Sequence, residues 1–140
     1  MQASVGVFSA MRLKPGEDPV AGLRAAFAQG GAGAMAVVTC VGSLTRAVIR
    51  HANRPDGTLY EGHFEITSLV GTVGPEGEHL HITISDGEGR AFGGHLLPGS
   101  TIYTTAEIVV VALPDLAFRR APCPLSGYHE LVIEPRGTDE

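Results

Sequence analysis

The spacing of apolar residues changes period once along this chain, and that change separates its first elements. In "SVGVFSAMRL", Val5, Val7, Met11 and Leu13 fall on one parity, as in a strand with one buried face, and Lys14-Pro15-Gly16 ends it. "EDPVAGLRAAFAQGG" then places Val20, Leu23 and Phe27 on one helical face. Asp18 is positioned to cap, Pro19 suits the first helical position and Gly30-Gly31 stop the turn, so one principal helix is predicted at about residues 18–29. From residue 34 onward the pattern reads as strands: "AMAVVTCVGS", "TRAVIRH", "LYEGHFEITSLVGTV" interrupted by Gly62, the segment around "HLHITIS", "STIYTTAEIVVVAL" and "GYHELVIEP". "PDLAFRRAPCPLSG" is rich in proline and is read as an irregular loop crossing between the last two strands. One helix against five to seven strands predicts an α+β fold, a mainly antiparallel sheet with the helix packed on one face. At 140 residues, with no repeat or linker, a single domain spanning 1–140 is expected.

With 44% apolar and 18% charged residues, the chain has enough apolar surface to fold as a globule. Net charge is −5, from 15 acidic against 10 basic residues, and no basic cluster exceeds Arg119-Arg120. Without clustered Lys and Arg, counterion release cannot drive binding to bare nucleic acid, so direct DNA contact is expected to be poor. The N-terminus has no basic leader ahead of an apolar stretch and no apolar run approaches the ~18 residues of a membrane span, which points to a cytoplasmic protein with no membrane contact. Cys40 and Cys123 are far apart and match no Cys-x-x-Cys spacing, so neither a disulfide framework nor a thiolate zinc ribbon follows.

The densest chemistry lies in "GEHLHITISDGEGRAFGGHL", residues 77–96. Strand alternation puts His79, His81, Thr83 and Ser85 on one face and Leu80, Ile82 and Ile84 on the other, which must be the core. After the turn "SDGEGR", Phe92 and His95 are three residues apart and so on opposite faces. If Phe92 joins the core, His95 joins His79 and His81, provided that Gly93-Gly94 forms no bulge. Three neutral imidazoles converging from adjacent strands suit zinc or another divalent transition metal, with a fourth position left for water or a ligand. Gly93 and Gly94 would leave a shallow opening there for a small anion. Glu107 is a candidate to orient an imidazole N–H, and Glu65 a weaker one. His-x-His also occurs without metal on half-buried strands, and spacing alone leaves both readings open. His51, His63 and His129 lack partners in sequence and are read as surface residues. Asp86-Gly87-Glu88-Gly89 is too short for a calcium loop and is read as a hairpin turn. No Gly-x-Ser-x-Gly elbow and no phosphate-cradling loop is present.

The blocks "MRLKPGED", "VGSLTRAVIR", "GHFEITSLVGTV", "HLHITISDGEGRAFGGHL", "TAEIVVVAL" and "SGYHEL" resemble, in order, the signature blocks of the PPC domain (plant and prokaryote conserved domain). The resemblance covers nearly the whole chain. It implies an α+β fold assembling as a homotrimer, and a zinc-like ion held by His79, His81 and His95 near a subunit interface. It also places Arg12 and Glu107 near the same cleft, Arg12 otherwise reading as a surface ion-pair partner. Prokaryotic members are often described as DNA-binding proteins, and in plants the domain follows basic AT-hooks; this sequence has no AT-hook. Two functions are therefore expected in competition: a tri-histidine metal site open to a small ligand, or a DNA-associated assembly module whose histidines are structural.

Overall fold

The computed structural model describes residues 1–137. In chain order the elements are β1 (Val7–Leu13), α1 (Pro19–Gly30), β2 (Met35–Arg50), β3 (Thr58–Gly74), β4 (Gly77–Ser85), β5 (Ala91–Leu96), β6 (Thr101–Ala112), β7 (Leu116–Pro122) and β8 (His129–Pro135). This is the expected α+β architecture with one helix, and every strand pairing is antiparallel. The helix starts where the capping residues predict. Asp18 Oδ1 accepts from Val20 N at 2.8 Å while its Oδ2 accepts from Gly99 N at 2.9 Å, so one carboxylate caps α1 and ties it to the loop before β6. Gly31 closes the helix in the left-handed region, at φ 65°.

Six strands form one sheet in the order β1-β6-β2-β3-β4-β5. The sheet curls until the end of β2 meets β5, pairing Ile49 with Leu96 and Arg50 with His95, which closes β2–β3–β4–β5 into a small barrel. The core holds Leu44, Ile49, Leu69, Leu80, Ile82 and Ile84 of the barrel strands with Ile102 and Ile108 of β6, and Val20 and Leu23 of α1 pack into it. Cys40 is buried there, and burial, with the nearby charge of Glu107, pushes its thiol up to about 11.

Three expectations are corrected. "AMAVVTCVGS" and "TRAVIRH" are one 16-residue strand, β2. Gly42 does not break it but allows β6 to approach: a Cβ there would stand 2.7 Å from Ala106 Cα. Gly62 does not interrupt β3 either; the register steps from Leu44–Phe64 to Arg46–Glu61, so β3 absorbs one extra residue as a bulge. "PDLAFRRAPCPLSG" is not an irregular crossing, because its first half forms β7 and pairs with β8 as a separate hairpin. Leu116 and Phe118 alternate inward onto Ala34, and the prolines that suggested a loop fall at the strand's end and beyond it, at Pro122 and Pro124. Among the described residues, no helix is long and apolar enough to cross a membrane.

Candidate metal centre

The three histidines share one face of the sheet, as strand parity predicts. β4 and β5 pair without a bulge from His81–His95 to Ser85–Ala91, with Ile82 opposite Gly94 and Ile84 opposite Phe92. Leu80, Ile82 and Ile84 are buried and Phe92 packs against the core, so His79, His81 and His95 project together from the outer face. Their potential ligand nitrogens all lie within 4.8 Å of one another. His79 Nε2 and His81 Nε2 are 3.2 Å apart, and His95 stacks on His79 with ring centroids 5.3 Å apart and planes 17° from parallel. Burial is the first cause holding the His79 and His95 imidazoles below their usual range; the charges of His81, Arg120 and Arg50 add to it at His79, and those of Arg50, His81 and His79 at His95. Both rings are thereby biased towards the neutral form, with a lone pair available.

Gly93 and Gly94 permit close backbone approach. A Cβ on Gly93 would fall on the Ile82 carbonyl, and one on Gly94 would stand 2.5 Å from Arg50 O. They let β5 press against β4 and the end of β2, which brings His95 to the pair on β4. Arg12 and Glu107 are cross-strand partners on β1 and β6. In the strand order β2 and β3 lie between β6 and β4, and β1 is one strand further out, so neither residue stands on a strand next to the histidines of the same chain. Among the described residues Arg12 makes no ion pair: its Nε donates to Thr105 Oγ1 at 3.0 Å and its Nη2 to Thr104 O at 3.4 Å. Glu65 pairs with Ser85, four residues along β4 from His81 and so ~13 Å away at ~3.3 Å per residue.

His51, expected at the surface, is half-buried and bridges two strands. Its Nδ1 meets Gly93 O at 2.9 Å and its Nε2 meets Tyr60 Oη at 2.6 Å, which fastens β5 just before His95. His63 and His129 are exposed as expected, though His63 lies against Tyr103 with centroids 4.5 Å apart. Asp86 accepts from the backbone N–H of Glu88 and Arg90 and pairs with the Arg90 guanidinium at 2.9 Å, so the acidic segment is a hairpin turn, not an ion loop.

Beside His79 and His81 lies a cleft of about 260 Å³, lined also by Val70, Gly71 and Thr72 of β3 and by Arg120, Glu130 and Leu131 of the β7–β8 hairpin. Sequence reasoning missed this hairpin wall. The signal was present as the Leu116-Phe118-Arg120 alternation, masked by the prolines that follow it.

The class defined so far is an α+β domain with a curled antiparallel sheet that carries a histidine triad on its outer face. Residues 2–114 match the family model of the Plants and Prokaryotes Conserved (PCC) domain, and the chain belongs to that family. It is 43% identical over 129 residues to the bifunctional protein GlmU of Synechococcus sp. (strain JA-2-3B'a(2-13)), covering 92% of this chain and 20% of that protein. The chain thus spans about one fifth of the length of that curated relative. Among solved structures, a hypothetical protein from Salmonella enterica is 44% identical, with a TM-score of 0.94 over 96% of this chain and 98% of that one. A metal-containing protein from Archaeoglobus fulgidus is 26% identical, with a TM-score of 0.76 over 94% and 99% of the two chains.

Proposed function

We propose that His79, His81 and His95 hold a zinc-like divalent ion, open to a small anionic ligand, in a homotrimeric cytoplasmic protein. The observation that carries this reading is the convergence of three imidazole nitrogens within 4.8 Å on one face. The donor set fits. Ligand nitrogens around a tetrahedral ion with bonds of about 2.05 Å stand roughly 3.3 Å apart, close to the His79–His81 separation, and neutral imidazole is the ligating form. When bound, such an ion supplies Lewis acidity at one open position. The chain's own residues do the rest: the barrel fixes β4 and β5, and His51 secures β5 beside His95. The metal-containing description of the Archaeoglobus fulgidus relative supports the same reading.

Self-association is supported by the outer face of the sheet, where Phe8 and Val41 are 67% and 62% exposed, Phe8 opposite Val111 and Val41 opposite Glu107 on β6. Packing another copy there would cover an apolar surface that one chain leaves in water, and the family resemblance implies three copies. In such an assembly, Arg12 and Glu107 of one copy can approach the histidines of the next. Direct DNA contact is not part of this reading, because a net charge of −5 opposes it.

Elemental analysis of the purified protein is expected to find stoichiometric zinc, and native mass spectrometry three chains. His79→Ala and His95→Ala should each abolish the metal while leaving the far-ultraviolet circular dichroism unchanged. Metal retained by both variants rejects the site.

A further inference from the structure

The cleft beside the histidines has one wall that the family match does not reach. Matched residues end at 114, whereas Arg120, Glu130 and Leu131 belong to the hairpin beyond them. We propose that the β7–β8 hairpin is the selectivity wall of this cleft. Arg120 takes the carboxylate of a small organic acid, Glu130 takes a hydrogen-bond donor on the same molecule, and Val70 and Leu131 take its short apolar body. The proposal deepens the reading of the metal site and rests on it for what the ligand approaches.

Three observations carry it. First, both charged groups are uncommitted: among the described residues neither the Arg120 guanidinium nor the Glu130 carboxylate makes a hydrogen bond or an ion pair, though both line the cleft. Both are close enough for their charges to act on His79, in opposite senses. A guanidinium offers a planar fork matched to a carboxylate, and a carboxylate acts only as acceptor, so together they select a molecule with an anionic end and a donor.

Second, the wall is held in place. Phe118 and Leu116 bury against Ala34, Phe118 N donates to Gly33 O at 3.0 Å, and Arg120 N donates to Glu76 Oε2 at 2.7 Å in the turn that leads into β4. The Arg120 backbone is therefore fixed relative to the strand that carries His79. In the hairpin register Arg120 stands opposite Leu131 and Ala121 opposite Glu130, and Arg120, Glu130 and Leu131 all line the cleft.

Third, the size is small. A cleft of 260 Å³ lies below the ~300–1,000 Å³ of pockets for drug-sized ligands, and its lining mixes Val70 and Leu131 with the two charges. A small hydroxy or amino acid meets all three conditions; inorganic phosphate lacks the apolar body.

Lactate and propionate serve as probes that differ by one hydroxyl donor. Calorimetric titration of the zinc-loaded protein is expected to show lactate binding about tenfold or more tighter than propionate, the scale of a hydrogen bond to a charged group. Arg120→Gln should weaken both acids about tenfold or more, whereas Glu130→Gln should weaken lactate alone, and zinc content should stay at the wild-type level in both variants. Full-affinity binding by Arg120→Gln with zinc in place overturns the proposal. The same titration of metal-free protein, followed through the Val70 and Leu131 methyl resonances, separates the two readings. Lactate-induced shifts that vanish in Arg120→Gln uphold the wall even where zinc fails to bind. Shifts absent from both the loaded and the metal-free wild type overturn it.

Discussion

Leu44 and Ile84 in the barrel, with Ile102 of β6, are at most 1% exposed and pack among side chains from neighbouring strands, whereas the hairpin buries Ala34, Leu116 and Phe118 with Leu113 and Leu131 at the margin. The barrel carries the histidines and the hairpin carries the charges that face them. A site needs its donor atoms held to a fraction of an ångström, so they stand on strands locked by a large core. Groups that only choose what enters can stand on an element with a smaller core and more freedom to vary.

Core truncation tests that difference with the largest effect. Leu44→Ala should destabilise the whole molecule by ~2–5 kcal/mol, seen as a drop in the urea midpoint of a single transition. Phe118→Ala should lower that midpoint less, but speed amide hydrogen exchange in β7 and β8 while β2 and β6 keep their protection. It should also weaken lactate binding without removing zinc. Equal loss of midpoint in the two variants, with no local exchange difference, would make hairpin and barrel one cooperative unit.

A smaller effect is expected at the joint between β5 and the rest of the barrel. Tyr60→Phe removes the hydroxyl 2.6 Å from His51 Nε2 and should cost ~1 kcal/mol, with faster exchange at β5 amides. Because His51 holds Gly93 O, zinc should also dissociate faster from this variant, as read by transfer to a chelator. Unchanged zinc release would confine His51 to a packing role.

Most of the barrel was legible in the sequence because one buried face imposes strict alternation. Leu80, Ile82 and Ile84 fixed the outward direction of His79 and His81, and the three-residue step from Phe92 fixed that of His95. Closure was not legible. That β2 meets β5 depends on a backbone approach at Gly94, against Arg50 O, and a glycine in sequence reads equally well as a bulge. His51 was missed in part for the same reason, since its partner Gly93 is supplied by closure, while Tyr60 comes from the neighbouring strand β3. Arg120 was missed because Pro122 and Pro124 mark the end of β7 and were read as applying to the whole segment, and Glu130, on a segment read as a strand, was missed because that strand's partner β7 was not recognised.

The smallest expected effect measures whether hairpin charge reaches barrel histidine. Burial, then the neighbouring charges, depress the His79 and His95 pKa values below the ~6.5 of an unfolded chain. The folded state therefore binds fewer protons than the unfolded state in that window. The stability tied to neutral rings is fully present above about pH 6.5 and is lost as pH falls from there through the folded-state values. In metal-free protein the urea midpoint should decline between about pH 7 and 5, and the His79→Asn/His95→Asn double variant should decline less. Arg120 is among the groups that depress His79, so Arg120→Gln should flatten the decline slightly towards that of the double variant. A decline equal in wild type and double variant would place the acid sensitivity outside the triad. A wild-type slope retained by Arg120→Gln, beside a flattened double variant, would mean that the hairpin adjoins the histidines without acting on their charge.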